Sequence, residues 1–502
     1  MLGEQAFLLS LLACLLILYL LKRLLSCKGG ETVMKQNLPP GPPRLPLIGS
    51  IWVLGPVITL ERPIKLAKFY GNIYTLWLGS KLVVVLSGFE AVKEALINHS
   101  EDFAGRPETV LSQTIIKNMG AGIIFTNGHT WKEQRKFGVV TMRKLGLGKK
   151  DLECQIKEEA HQLVETFARA KGQPFDPSLP ISMSICNMIC AVAFGQRFSL
   201  EDEEFPKLME AIAYLSKYVG TISYGLFEMF PWIVKHLPGP HQKAFLHAKV
   251  IQTFAKKEIE KHKEHEAMHE PQDFIDFYLL HMKKTKNDPN STYNEENLVQ
   301  CIFDLFVAGT ETTSLTLRWA LILMANHPDI QQKVHKEIED VLGTSQSFSY
   351  QDRKRLPYTN AVIREIQRFQ YILFTGIPRQ CVKDVNIFGF HIPKGAIVMP
   401  NFRSVLLDPK QWEKPREFNP NHFLDKDGRF LEREAFLPFG AGARLCPGEQ
   451  QAKIELFFIF TSLLRAFTFQ LPEDMKELSE KPIVGATVIP RLKLRAVPRC
   501  TN

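Results

Sequence analysis

Cysteine is scarce in this chain, with nine in 502 residues, an odd number thinly spread. That excludes a secreted scaffold built on disulfides and favours reduced thiols in a cytosol-facing compartment. Internal periods and low-complexity tracts are missing, which removes repeat arrays, collagen-like chains and disorder. The charge balance is only mildly basic, a net +9. Aromatic residues are not interleaved with the basic ones, so nucleic acid is not expected as a partner, while an anionic membrane surface or an acidic protein is. At 502 residues the chain exceeds a typical single core.

Long uncharged apolar runs are equally rare, and the one at the N-terminus is informative. "AFLLSLLACLLILYLL" covers Ala6 to Leu21, sixteen residues, which as a helix span about 24 Å against a hydrocarbon core of about 30 Å. Leu24 and Leu25, with snorkelling Lys22 and Arg23, extend it. Glu4 precedes the run and basic residues follow, the reverse of a cleaved signal peptide. The expectation is an uncleaved signal anchor over residues 1–27, with the remainder on the cytoplasmic side.

Residues 28–49 read as a linker with a proline-rich hinge. Five prolines fall between Pro39 and Pro46, a polyproline II spacer or, less plainly, a PxxP ligand. Residues 50–502 then form the main body. "NIYTLWL" and "KLVVVL" flank Gly79-Ser80 and predict a hairpin. "VNIFGFHI" and "AIVMP" mark a second β region. Helical patterns fill the rest, so the fold class is mainly α with small, local β-sheets (α+β).

One segment, about Glu296 to Asn326, predicts a helix apolar nearly all round and therefore buried. Gly309, Thr310, Glu311, Thr312 and Thr313 at its centre contradict both helix propensity and burial. Threonine back-bonding that bends the helix and a functional site both account for them.

Cys446, in "FLPFGAGARLCPGEQQAK", precedes Pro447, a residue suited to a helix start. Such a place lowers a thiol pKa. Gly440 and Gly442 permit a close-running backbone before it. No histidine lies in the loop to serve a nucleophile, no second cysteine lies two or three residues away, and no zinc spacing surrounds it. Single-thiolate ligation of haem iron fits best.

The run Phe439-x-x-Gly442-x-Arg444-x-Cys446-x-Gly448 resembles the haem-thiolate signature of the cytochrome P-450 family. "LPPGP", "WKEQR", "AGTETT" and "EIQR" occur in that family's order, so the likeness covers nearly the whole chain. "HLPGPHQ" and "FDLFVAGTETTSLTLRWAL" are most similar to the J subfamily of vertebrate microsomal family 2. Gly440 and Ala443 depart from the serine and lysine usual in family 2.

The resemblance implies the cytochrome P-450 fold on an N-terminal transmembrane anchor, with heme b as cofactor and Cys446 as its axial thiolate. Glu311 and Thr312 would relay protons, beside a helix wall kept low by Ala308 and Gly309. Arg106, Trp131, Arg135, Arg379 and Arg444, with Phe439 of the signature, would bind the haem. Glu365, Arg368 and His422 would form a structural lock. Phe303, Ala308, Phe374, Ile377 and Val488 would line an apolar substrate pocket. The basic run Arg135 to Lys150 would dock a flavoprotein, NADPH–cytochrome P-450 reductase, which carries the flavins and the NADPH, with cytochrome b5 as a second donor. "FEMFPWIVKHLPGP" would form a lid dipping into the endoplasmic reticulum membrane. The implied activity is hydroxylation or epoxidation of lipophilic substrates, such as arachidonic acid and xenobiotics. A reductase-independent haem-thiolate isomerase and a non-enzymatic haem- or lipid-binding protein are the alternatives. His262, His265 and His269 are expected on an exposed charged helix rather than at a metal.

Overall fold

A computed structural model describes residues 37–499 apart from 56–58, 117–119, 146–149, 200, 266–269, 344–346, 474, 476–482, 485–486 and 490–492. The expected anchor, residues 1–27, lies outside them; no helix among the described residues is long and apolar enough to cross a membrane.

Five helices frame the site: α1 (Gly128–Lys144), α2 (Ser178–Phe194), α3 (Glu295–Asn326), α4 (Pro357–Phe369) and α5 (Glu449–Ala466). Helix α3 starts where Asn294 caps the backbone N–H of Asn297 and stops at His327 before Pro328. It joins two apolar cores. Its N-terminal part, Leu298 to Phe306, packs with the helices Phe205–Tyr218 and Pro240–His265. Its C-terminal part, Leu317 to Ala325, packs with α5 and the helix Lys150–Ala168. The polar centre falls between them.

The strands β1 (Ile73–Leu78) and β2 (Lys81–Ser87) form the expected hairpin, with Gly79 at φ 61° in its turn. Next come β3 (Arg379–Gln380), β4 (Val385–Ile387), β5 (Phe390–Ile392) and β6 (Ile397–Asn401). The main sheet has the order β1-β2-β6-β3. It is less local than expected, because Val83–Ser87 pair in parallel with Ile397–Asn401. The proline-rich stretch lies against this sheet: Thr75 N–H donates to Pro40 O at 2.8 Å, and a Cβ on Gly41 would meet Thr75 O at 2.1 Å.

Glu365 and Arg368 on α4 are fully buried and joined by two hydrogen bonds of 2.7 Å. The remaining guanidinium hydrogens reach the carbonyls of Leu406, Pro415 and Glu417. His422 Nδ1 lies 3.1 Å from the Glu365 carboxylate, and its Nε2 meets Glu413 O. The guanidinium also sits 5.3 Å from the Trp412 ring. This network ties α4 to the chain leading into the cysteine loop. The same spacing in Glu413 and Arg416 gives no pair, since Arg416 binds Glu61 instead. Arg368→Leu should lower unfolding free energy by about 3–5 kcal/mol, because it strands a buried carboxylate. Urea denaturation measures this, and a loss below about 1 kcal/mol would place the pair in the class of surface bridges.

Candidate functional site

The loop before α5 is shaped by two glycines in left-handed conformation, Gly440 at φ 79° and Gly442 at φ 70°. A Cβ on Gly442 would stand 1.7 Å from Leu96 O, so no other residue fits there. Ala443 N–H donates to Ser100 Oγ at 2.7 Å, and Cys446 N–H closes the loop on Phe439 O at 3.0 Å. Helix α5 begins at Glu449 with Gly448 as its cap, placing Cys446 two residues before the cap. The expected lowering of its pKa is not found. Burial pushes the thiol up, and the Gly448 and Glu449 amides with Arg135 only partly offset it. Desolvation here outweighs the helix terminus. A metal cation on the sulfur reverses that balance, since a coordinating thiol loses its proton.

Four guanidinium groups converge beside this loop. Arg106 gives Nε to Ile124 O at 3.0 Å and Nη1 to Ile377 O and Pro378 O at 3.0 and 2.6 Å. Arg379 Nη2 reaches Ala441 O at 3.2 Å. Arg444 gives Nε to Ala104 O at 2.8 Å and Nη1 to Ile123 O at 3.2 Å, and its Cζ lies 3.8 Å from the Trp131 ring. Arg135, on α1, reaches Leu445 O at 2.5 Å. Among the described residues no carboxylate pairs with any of the four. Burial and then mutual repulsion push Arg379 down to about 10 and Arg444 down to about 9, and hold Arg106 well below its usual value. Trp131 Nε1 is buried without a hydrogen-bond partner. Buried like charges and an orphaned donor together call for an anionic ligand. A group bearing two carboxylates beside a metal near Cys446 fits these residues.

Helix α3 supplies the opposite wall. Between Leu298 and Ala325 every residue is buried except Leu305, Val307, Ala308, Gly309, Thr312 and Arg318. Ala308 and Thr312, one turn apart, share an accessible face, and Thr312 Oγ1 donates to Ala308 O at 2.7 Å. Such back-bonding recurs at Ser314 and Thr316, so the polar centre carries the bland feature as well. Glu311 is buried away from that face, and burial raises its carboxyl pKa, partly offset by Arg318. Gly309 does not keep the wall low: a Cβ there would meet Ile189 Cδ1 of α2 at 2.5 Å. Its smallness serves the close approach of α2 to α3.

The expected pocket residues divide. Ile377 is 39% exposed and its carbonyl binds Arg106, which places it beside the guanidinium cluster. Phe374 is half-buried on the core near α4 and α5. Phe303 is buried within the N-terminal core of α3. Val488 lies in the strand Val488–Ile489, which the Leu373–Thr487 bridge brings beside residues 372–374. His262 is not on an exposed face. Burial pulls it down, but Asp273, 2.9 Å away, holds it up to about 9. Asp276 completes with them a cluster whose ligand atoms lie within 4.8 Å of one another, and His269 lies outside the described residues. Sequence reasoning passed over Asn127, whose Oδ1 takes the Arg106 N–H at 2.7 Å, and Asp304, since a buried acceptor of backbone N–H groups has no spacing signature.

The sequence profile of the Cytochrome P450 family matches residues 39–495. The chain is 43% identical to cytochrome P450 2J2 of Homo sapiens over 465 residues, 92% of each chain. It is 41% identical to cytochrome P450 2J1 of Oryctolagus cuniculus over 499 residues, 99% of this chain and 97% of that one. It is also 39% identical to cytochrome P450 2A12 of Mus musculus over 500 residues, 99% of this chain and all of that one. The four guanidiniums and Trp131 match a haem bearing two propionates. Trp131→Phe removes an unsatisfied buried N–H. It should leave the haem-free denaturation midpoint unchanged or higher and weaken haem binding about tenfold. Haem titration of the apoprotein measures this, and unchanged affinity would show that the indole N–H is not directed at the cofactor.

Proposed function

Because the chain belongs to the cytochrome P450 family, whose members are haem-thiolate monooxygenases, we propose that Cys446 ligates haem iron and that Arg106, Trp131, Arg135, Arg379 and Arg444 hold the propionates. One observation carries this assignment: four guanidiniums, three buried and one half-buried, lacking any carboxylate among the described residues and gathered beside one cysteine. Backbone carbonyls fix each guanidinium, so the cradle is organised before the anion arrives. When bound, the haem supplies the activation of dioxygen that no side chain here provides.

The chain's own part is proton delivery and substrate placement. Thr312 now donates its proton to Ala308 O, and its oxygen lone pairs remain available to accept. Passing a proton toward the cofactor requires that hydroxyl to rotate off Ala308. Glu311 holds its proton more tightly than an exposed carboxyl, because it is buried. That direction suits a proton donor resupplying Thr312 through water. Ala308 and Ile377 present apolar surface to the open face, which favours lipophilic substrates. Likeness to the J-branch enzymes directs the finer choice to polyunsaturated fatty acids, hydroxylated or epoxidised, with xenobiotics beside them.

Electrons would come from NADPH through a flavoprotein reductase. Lys132, Lys136, Val140, Arg143 and Lys144 are exposed on α1, whose inner face carries Trp131 and Arg135. A basic face around an exposed valine suits an acidic docking partner, cytochrome b5 included. Ile222, Leu226, Trp232, Ile233 and Leu237 are exposed on the helices Ile222–Met229 and Pro231–Val234 and the turn after them. This apolar patch suits a lid resting on the endoplasmic reticulum membrane.

Turnover of fatty acids by purified protein, with and without reductase, tests the activity. Product is expected only with reductase and NADPH, and product from peroxide rearrangement without them would favour the isomerase. Cys446→Ala should abolish the thiolate-type Soret band of the reduced carbon-monoxide complex; a surviving band would move the ligand elsewhere. Thr312→Val should lower product formation by about a hundredfold, while NADPH oxidation falls far less. Parallel losses in both would remove Thr312 from proton delivery.

A further inference from the structure

Asp304 has no place in the assignments above, although it is 4% exposed on α3. Its Oδ2 accepts the backbone N–H groups of Ile123 and Ile124 at 2.7 and 2.9 Å, and its Oδ1 accepts Gln300 Nε2 at 3.0 Å. Burial raises the carboxyl pKa, these three donors offset part of the rise, and the result is about 6, so the anion is the main form at neutral pH. No cation pairs with it among the described residues. The same two residues are also gripped through their carbonyls, and the peptide between Ile123 and Ile124 is held at both its N–H and its oxygen. Ile124 O takes Arg106 Nε at 3.0 Å, and Ile123 O takes Arg444 Nη1 at 3.2 Å. Two adjacent residues therefore link one carboxylate of the distal helix to two of the four guanidiniums.

We propose that Asp304 is a positioning residue for the cofactor cradle: through Ile123 and Ile124 it fixes where Arg106 and Arg444 point, and so governs haem retention. The inference rests on the haem assignment above. A hydrogen-bonded peptide is polarised along its N–H and C=O, so the carboxylate on Ile124 N–H strengthens Ile123 O of the same peptide toward Arg444, while Ile124 O is fixed toward Arg106 by the placement of its residue. Those carbonyls hold the guanidiniums in place although burial and then mutual repulsion disfavour both charges. The same contact sets how close the loop can lie. Gly122 stands at φ 86°, its N–H reaches Asn297 Oδ1 at 3.0 Å, and a Cβ on it would fall 2.6 Å from Asp304 Oδ2. The expected wall residue Ile377 joins through its own carbonyl on Arg106.

The test uses full-length holoprotein and two variants that break the contact from opposite ends. Asp304→Asn keeps the shape but presents one amide N–H to the two peptide donors. Gly122→Ala keeps the carboxylate but drives the loop off it. The probe is transfer of haem to excess apomyoglobin, followed in the Soret region, with hydrogen exchange of residues 120–127 in parallel. Both variants should lose haem about tenfold faster than the wild type and exchange those amides faster, with thermal midpoints shifted far less than by Arg368→Leu. Haem transfer within twofold of wild type in either folded variant overturns the proposal, as does faster transfer with unchanged exchange at Ile123 and Ile124. The thiolate-type band of the wild-type protein is read first. Its absence would sink the haem assignment itself, whereas the transfer rates speak only to Asp304.

Discussion

Everything at the centre of this molecule answers to an imbalance of buried charge. Four guanidiniums gather beside one loop, and each is anchored by at least one backbone carbonyl while no carboxylate among the described residues pairs with them. Carbonyl oxygens neutralise donors but not charge, so burial and then mutual repulsion lower the pKa values of Arg106, Arg379 and Arg444. An anion of matching valence removes that repulsion. The arrangement calls for an anionic ligand, and the buried indole N–H of Trp131 is one more donor without a partner.

The second constraint is the length of α3. Because this helix runs continuously from Glu295 to Asn326, its two ends can anchor in separate cores while its centre borders open space. Burial at both ends holds the unfavourable middle in helical form, which isolated propensity would not. Gly309 contributes by letting α2 come close on the far side, so the accessible face is left to Ala308 and Thr312. Glu311, one residue earlier, points into the packed side. Any exchange of protons between the two must therefore pass around the helix through water rather than across a shared surface.

The long helix, the β1–β2 hairpin and the cysteine loop were legible in the sequence, because each rests on local rules: apolar periodicity, a two-residue glycine turn, and glycines where φ must be positive. The guanidinium cluster was legible only through family likeness, since Arg106, Arg135, Arg379 and Arg444 are far apart in the chain and each alone resembles a solvated charge. Three features were misread for identifiable reasons. Cys446 was expected to be acidified by a helix terminus, but helix start and sulfur are two residues out of step and burial dominates. Gly309 was assigned to the wrong face, since spacing does not reveal which neighbour comes close. His262 looked exposed because its partner Asp273 lies beyond the end of its own helix.

Two buried ionic arrangements in this chain show why one is structural and the other awaits a ligand. Arg368 meets Glu365 in matched geometry, its spare hydrogens reach three carbonyls, and His422 takes the open side of the carboxylate. Every donor and acceptor there has a partner inside the protein, so the network is complete once the chain folds. The cradle has the same kind of donors in greater number and, among the described residues, no anion to close it. Asp304 reaches it only through the backbone of Ile123 and Ile124, offering order without neutralising charge. A direct contact between Asp304 and Arg444 would have formed a salt bridge and extinguished the affinity for an external dicarboxylate. Setting one peptide layer between them fixes the guanidiniums in place and leaves their charge unspent.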